Sequence, residues 1–398
     1  MTKETQPEPD PSSNEVTFRS FASASAATIF VLFGVTTSAY GPLLISFSHH
    51  FHVSLPVAGF VLSTQFVGAF CGVAIGWYGM KRVRGDVVLS SSLIVAGLGA
   101  MGAVLSSGWG LFVTSAFFIG LGFGGVDISL STMLVRTSAV LRAHRLSITN
   151  AGYSFGAVIG PLIVILMHPH NFVWLFTGVA AVAAVLSTTN RGIDAPQPIV
   201  QTPRSDAVTH ELQRRTVRFT FAIAMILYIA IESSSAGWIA PQLHRVGYSQ
   251  TVASLVTAGF WLGLSAGRIF AGSLHRRFSE KIMVLGGLGL AVVFCVSAYS
   301  NKAAPLVYPL EGAALASIYP MGLIWYTKLR PNDHDGVALL ILFMMFGGVI
   351  GPAIVSLMIS LTGIHSVPLV ISAFALLDLL IFSYALRFKT NDFHHLAQ

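Results

Sequence analysis

The sequence carries very little charge for its length. Aspartate, glutamate, lysine and arginine together make up 10% of its 398 residues, against about 25% in an ordinary soluble domain. Apolar residues make up 54%, and the mean hydropathy is +0.73. A soluble protein of this size needs a charged shell, which this composition cannot supply. The composition therefore indicates a protein that lies largely within a membrane.

Cysteine is also scarce, and motifs that carry chemistry are missing. Cys71 and Cys295 both lie in apolar segments, and two thiols cannot form a disulfide framework or a cysteine-based metal site. His49, His50 and His52 have no acid or cysteine close to them in sequence, so they do not predict a metal site. The sequence contains no phosphate-binding loop and no nucleophile motif. It therefore predicts no enzyme activity, no cofactor and no transport driven by its own ATP hydrolysis.

Long apolar segments, in contrast, recur along the whole chain. Most have about 20 residues or more, the length that a helix needs to cross the hydrocarbon core. The first six are Phe21–Phe47, Ser54–Gly79, Val87–Ser106, Trp109–Val135, Leu146–Met167 and Phe172–Ser187. The second six are Phe219–Leu243, Thr251–Leu274, Ile282–Ser300, Ala304–Thr327, Val337–Leu361 and Val367–Leu386.

These segments predict an all-α polytopic membrane protein with twelve transmembrane helices in two six-helix bundles. The bundles are expected at residues 19–188 and 218–388. A hydrophilic linker with three prolines joins them at residues 189–217. Residues 1–18 lack the apolar core of a signal peptide and are expected to form a disordered tail, and residues 389–398 form a second tail.

Lysine and arginine are concentrated in alternate loops. If both termini are cytoplasmic, 20 of the 23 basic residues fall in cytoplasmic segments, and only Arg245, Lys302 and Arg268 do not. The positive-inside rule therefore predicts cytoplasmic termini in a multi-pass protein of the cell (inner or plasma) membrane. Because the basic residues are spread over many loops, they argue against binding to nucleic acid.

The two halves of the chain also repeat each other. Residues 155–167 and 346–358 agree at 10 of 13 positions, and both segments lie in the fifth span of their half. Two parallel six-helix repeats around a site near the midplane are typical of one class of secondary transporter.

Three spans carry more specific motifs. The seventh and eighth contain Tyr228-x-x-x-Glu232-x-x-x-x-Gly237-Trp238 and Phe260-Trp261-x-Gly263-x-x-x-Gly267-Arg268, and the fourth is a glycine-rich stretch that leads to Asp127 and Ser131. With these motifs the chain resembles the major facilitator superfamily and, within it, the fucose–galactose–proton symporter group. The resemblance implies twelve pseudo-symmetric helices, with spans one, four, seven and ten lining a cavity.

Four acids lie inside spans, where each costs about 2.5–3.5 kcal/mol at a helix centre. Asp127, with Ser131 one turn further on, is expected to be a protonatable carboxyl coupled to transport; the alternative is a protonated acid between packed helices. Glu311 is expected near the outer cavity, either lining it or simply solvated. Asp378 is expected to be structural.

Glu232 has the most polar surroundings. Tyr228, Glu232, Ser235, Trp238 and Gln242 fall within a sector of about 120° on one helix. Carboxylate and amide oxygens accept hydroxyl hydrogens, and aromatic faces cover the C–H side of a sugar ring. The stripe therefore favours binding of a sugar-like solute by Glu232, which is also a candidate proton site, although another small polar or cationic aromatic molecule would fit too.

Three more residues complete the candidate site. Asn150 and Tyr153, in the fifth span, either donate hydrogen bonds to the cavity or serve packing. Arg268 either extends its charge towards the membrane surface or holds a carboxylate as a conformational latch.

Together these features predict a proton-coupled secondary transporter of a small polar solute, preferably a sugar, that works as a monomer by alternating access. Its expected partners are protons, the solute and the lipid bilayer. The alternatives are a proton-driven exporter of drugs or amphiphiles and, in another class, a non-transporting membrane sensor.

The topology can be tested by cysteine labelling. A cysteine introduced at residues 106–108 or beside His365 should react with an impermeant reagent from outside the cell. A cysteine at residues 205–211 should not, because the linker is predicted to be cytoplasmic. Labelling of the linker from outside would overturn both the orientation and the number of spans.

Overall fold

The computed structural model describes residues 11–135, 139–167, 172–189, 211–331 and 333–388. Nearly all of these residues are helical. Within these ranges there are thirteen α-helices and one 3-10 helix, Ile364–Ser366. The α-helices are α1 (Pro11–His50), α2 (Leu55–Gly79), α3 (Gly85–Val104), α4 (Trp109–Val135), α5 (Ala139–Leu166), α6 (Phe172–Thr189), α7 (Glu211–Arg245), α8 (Gln250–His275), α9 (Glu280–Ser297), α10 (Ala304–Leu315), α11 (Ile318–Leu329), α12 (His334–Thr362) and α13 (Val367–Ala385).

These helices form the twelve predicted spans. Ten of the described helices are long and apolar enough to cross a membrane on their own. The apolar part of α5 (Ala151–Leu166) supplies another span, and α10 and α11 together cover the tenth. The predicted all-α architecture of twelve spans is therefore confirmed.

The tenth span is broken, although the sequence predicted one continuous helix over Ala304–Thr327. α10 ends at Leu315 and α11 begins at Ile318. Pro320 has no N–H to donate to the carbonyl of Ala316, and its ring crowds that carbonyl. In the first turn of α11, however, the missing N–H is tolerated. The break thus separates two short helices that follow one another across the bundle.

The first helix overlaps the predicted N-terminal tail at residues 11–18. α1 already begins at Pro11, a residue that favours the first position of a helix because its backbone angle is preset. Residues 1–10 and 389–398 of the predicted tails lie outside the described residues. So do residues 190–210 of the predicted linker, whereas its last part belongs to α7, which starts at Glu211.

The two ends of the helices define two faces of the molecule. α1 and α7 end at one face with His50 and with His244 and Arg245, and we call it the histidine face. α2 and α8 end at the opposite face, followed by Lys81 and by Arg276, and we call it the basic face. α1 and α7 are the most enclosed of the described spans and lie at the centre of the molecule.

The two halves meet where α1 packs against α7, α2 against α12, and α5 against α8. Towards the histidine face this contact is continuous, since residues 38–44 of α1 and 234–243 of α7 are all buried. Gly41 lies directly against the carbonyl of Ala236, and Gly59 against the ring of Trp238, where a larger side chain would clash. The bundle is therefore closed at the histidine face.

A hydrogen bond between described residues joins the halves at the same face. The side-chain amide of Gln250, at the start of α8, donates to the backbone carbonyl of Pro42 in α1 at 2.7 Å.

A charged network on the basic face ties together helices of the second half only. Asp333 accepts hydrogen bonds from Arg218 at 2.8 Å and from Tyr326 at 2.5 Å, and it caps α12 through the N–H of Gly336. Partial burial works to raise the pKa of Asp333, but the bonds from Tyr326 and Arg218 hold it below its usual value. The carboxylate thus stays charged at neutral pH and fixes α7, α11 and α12 to one another.

Candidate functional site

A cavity of about 130 Å³ lies between the two halves. Helices α1, α2, α4 and α5 of the first half and α7, α8 and α12 of the second half contribute to its wall. Its polar lining residues are Thr37, Gln65, Tyr153, Glu232 and Ser233, and its apolar or aromatic ones are Leu62, Phe66, Phe123, Ile229, Ala236, Gly237, Trp261, Met344 and Met345.

The cavity is sealed towards the histidine face. Ala236 and Gly237 line it and at the same time touch Gly41, where the two halves are in contact. Towards the basic face the neighbouring side chains of Asp127 and Tyr319 are only half-buried. Among the described residues, the cavity is therefore enclosed more completely towards the histidine face than towards the basic face.

An ion pair closes the wall of the cavity on the side of α7 and α8. Nη2 of Arg268 lies 3.0 Å from Oε2 of Glu232 and 3.1 Å from the hydroxyl of Tyr228. The hydroxyl of Tyr228 also donates to Oε2 of Glu232. In the described part of the chain, the other carboxylate oxygen of Glu232 has no partner, and this residue lines the cavity.

The helix geometry explains why these groups meet. Tyr228 and Glu232 are four residues apart on α7 and therefore lie on the same side of the helix. Trp261 lines the cavity, and Arg268 follows it seven residues later, two turns closer to the basic face on nearly the same side of α8. Arg268 is 30% exposed, and Glu232 is almost completely buried. A buried carboxylate of this kind requires a cation and further hydrogen bonds.

Asp127 lies one turn beyond the cavity-lining Phe123 on α4, on the basic-face side, and Ser131 follows it by one further turn. Tyr153 and Tyr319 are close enough to Asp127 and Glu232 to experience their charges. Among the described residues Asp127 forms no salt bridge and no hydrogen bond. It is thus a half-buried acid beside the cavity without a bound cation.

Three residues of the predicted binding stripe lie away from the cavity. Ser235 donates to Glu311 at 2.6 Å inside the second half. Gln242 accepts from Tyr308 and donates to a backbone carbonyl at 3.4 Å, also inside that half.

The third, Trp238, packs against Gly59 of α2. A sector of about 120° on one helix is wide enough to face several neighbouring helices. In this conformation the residues of the predicted stripe therefore contact different helices.

Two further candidates lie elsewhere. The side chain of Asn150, in α5, lies outside the described residues. Asp378 is fully buried in α13, and its carboxylate oxygens have no hydrogen-bond partner in the part of the chain that the structure describes.

Several lining residues were not predicted from the sequence. Gln65 is a long polar side chain within the apolar α2, and this contrast could have identified it. Thr37, Phe66, Met344 and Met345 gave no such signal, because residues of these types are ordinary members of a transmembrane helix.

Two six-helix halves around a shared central cavity define a secondary membrane transporter. The family model of the Major Facilitator Superfamily matches residues 26–239 and 217–393. The chain belongs to this superfamily.

Curated relatives include transporters and a resistance protein. The fosmidomycin resistance protein of Escherichia coli (strain K12) is 24% identical over 303 residues, which cover 73% of this chain and 73% of that protein. The glucose/mannose transporter GlcP of Bacillus subtilis (strain 168) is 22% identical over 306 residues, which cover 73% of this chain and 76% of GlcP. Bypass of stop codon protein 6 of Saccharomyces cerevisiae is 22% identical over 287 residues, but the match spans only 56% of its length.

Solved structures share the fold at low identity. A bacterial homologue of the human lysosomal transporter Spinster, inward-facing and unoccupied, has a TM-score of 0.76 at 14% identity, covering 95% of this chain and 98% of its own. The D-xylose–proton symporter has a TM-score of 0.72 at 16% identity, and the match covers 91% of this chain and 97% of the symporter. The transporter FucP in the outward conformation has a TM-score of 0.62 at 16% identity, and the match covers 92% of this chain and 99% of FucP.

The ion pair can be tested by a double-mutant cycle. Arg268→Gln should leave Glu232 buried without its cation and lower the stability by about 1.5–3 kcal/mol. Arg268→Lys should lose less, because a single arginine nitrogen makes both contacts. Combining Arg268→Gln with Glu232→Gln should restore much of the loss, since no unpaired charge remains. Thermal unfolding in detergent measures each step, and simple addition of the two single losses would contradict the pairing.

Proposed function

We propose that this transporter carries a small, uncharged polar solute, a sugar or a similar polyol, together with protons, by alternating access. The observation that carries the proposal is the neutral ion pair of Glu232 and Arg268 beside the cavity. We place the protein in the cell (inner or plasma) membrane with cytoplasmic termini and expect it to act as a monomer.

The ion pair suits an uncharged solute that both donates and accepts hydrogen bonds. The free oxygen of Glu232 accepts from a hydroxyl group, and the side chain of Gln65 can do either. Trp261, Phe66 and Phe123 supply apolar and aromatic surface for the C–H groups of a sugar ring. The positive charge of Arg268 makes a cationic solute less favourable here. Among the relatives, GlcP is a glucose/mannose transporter, which supports the same class.

Proton coupling is supported by the surroundings of Asp127. An ionised carboxylate is costly within the membrane unless a cation neutralises it. Glu232 has Arg268, whereas Asp127 has no such partner among the described residues. A proton is therefore the counter-charge available to Asp127, and we assign it the main coupling role and Glu232 mainly the binding of the solute. Two similar structures are proton symporters, for D-xylose and for fucose.

Alternating access is supported by the one-sided closure and by the repeat. With the basic face in the cytoplasm, the state described here is inward-facing. The inward-facing Spinster homologue also aligns better than FucP in its outward conformation, with TM-scores of 0.76 and 0.62. Because the halves repeat each other, rocking them about the central site gives a related state that is open at the histidine face.

Export of drugs or amphiphiles is the second candidate. Met344 and Met345 give the cavity a flexible apolar wall, and methionine-rich surfaces accept varied apolar ligands. The similarity to a fosmidomycin resistance protein favours this alternative as well.

Purified protein in liposomes can test the division of roles. Asp127→Asn mimics the protonated acid, so it should abolish accumulation of sugar driven by a proton gradient and retain binding and exchange. Glu232→Gln should weaken binding itself by about 1–3 kcal/mol, because a hydrogen bond to a charged group is lost. Radiolabelled sugars and a pH-sensitive dye report both processes.

The opposite pattern would reverse the assignment: accumulation retained by Asp127→Asn, with Glu232→Gln limited to exchange. Normal transport by both variants would show that the acids are structural. Proton movement driven by amphiphiles but by no sugar would favour the exporter.

A further inference from the structure

Glu311 is a buried acid outside the cavity. It lies on α10 and has no exposed surface. One of its carboxylate oxygens, Oε1, is bonded to the hydroxyl of Ser235 at 2.6 Å. The other, Oε2, is buried without a hydrogen-bond partner in the described part of the chain. The mechanism above makes no use of this residue.

The groups that face Glu311 are all uncharged in their usual forms. α7 contributes the hydroxyl of Ser235, and α9 contributes the thiol of Cys295. On α10 itself the nearest titratable group is Tyr308, whose hydroxyl is bonded to Gln242. The buried residues of α8 are apolar apart from the uncharged hydroxyls of Ser254 and Thr257, and most of its glycines lie against α10. None of the salt bridges among the described residues includes Glu311.

A carboxylate cannot stay ionised in such surroundings at acceptable cost. Isolated buried charges are neutralised instead, and one hydroxyl does not replace a cation. As a neutral acid, Glu311 has an O–H that can donate to Ser235, while Ser235 can equally donate to it. The short contact between the two oxygens suits either arrangement. These surroundings therefore favour the neutral, protonated form of Glu311.

The position of this proton connects it to the transport site. Ser235 lies on α7 three residues after Glu232, and Ala236, the next residue, lines the cavity. α10 ends at Leu315, four residues beyond Glu311, where the tenth span is broken. The hydrogen bond between Ser235 and Glu311 thus joins the helix that carries the ion pair to a short helix with a break at its end.

We propose that Glu311 is a second proton-binding site of the transport cycle, which holds α10 against α7 when protonated and releases its proton when the two helices separate. On release, the O–H bond of Glu311 breaks, the proton passes to water on the open face, and the carboxylate is hydrated. When α10 packs against α7 again, each step is reversed. This inference rests on the proposed proton coupling but assigns a site that the solute does not touch.

The experiment compares Glu311→Gln with Asp378→Asn in liposomes. Both changes replace a fully buried acid of the second half by its uncharged amide, but Asp378 lies on α13, away from the cavity. Glu311→Gln should still bind and exchange the solute. It should take up fewer protons per solute than wild type. We expect wild-type exchange to decline at alkaline pH, where Glu311 loses its proton, and Glu311→Gln should not show this decline. Asp378→Asn should match wild type in both measurements.

Wild-type proton uptake and pH dependence in Glu311→Gln would overturn the inference and leave the proposed function intact. Absence of solute-dependent proton uptake in wild type would instead refute the proposed function. If Glu311→Gln does not fold, a second measurement replaces it. Infrared difference spectra between neutral and alkaline pH are then compared for wild type and Ser235→Ala. The carbonyl band of a protonated acid should shift when its bond to Ser235 is removed, and an unchanged band would contradict the assignment.

Discussion

The ion pair between Glu232 and Arg268 is the interaction on which the site depends. Within a membrane a lone charge is expensive, so each charged side chain of a span needs a partner or a proton. Glu232 obtains Arg268 and the hydroxyl of Tyr228, which brings α7 and α8 together at the cavity. Because the pair is neutral as a whole, it suits the uncharged solute that we propose, to which it offers a donor and an acceptor. For acids without a cation among the described residues, such as Asp127, we propose that a proton supplies the counter-charge.

The proposed alternating access sets a second constraint, because it requires the two halves to separate easily on one face. At the histidine face their contact consists mainly of close apolar packing, with Gly41 and Gly59 allowing the helices to approach. One hydrogen bond, from Gln250 to Pro42, adds to it there. Moving a two-state equilibrium from 1:99 to 99:1 requires a difference of about 5.5 kcal/mol, which binding of a solute and protons can supply. The charged network around Asp333 holds α7, α11 and α12 of the second half together during this motion. Its described members do not include α10, the helix that we propose to separate from α7.

The sequence was sufficient to predict the spans and their grouping, because length and hydropathy fix which segments cross a membrane. It also placed Tyr228 and Glu232 on one side of a helix, since their spacing determines that. It did not reveal that Ser235 and Gln242 face the interior of the second half, because helical periodicity does not identify the neighbour of each side. The break at Pro320 was missed for a similar reason: proline within a span can kink, interrupt or leave a helix continuous, depending on the packing around it.

Distances between spin labels test the central claim of alternating access most directly. One pair, at His50 and Arg245, reports across the histidine face, and the other, at Val83 and Phe278, reports across the basic face; all four side chains are exposed. As solute and proton concentrations are varied, the account predicts that the first distance increases when the second decreases. Two distances that stay constant, or that increase together, would contradict it.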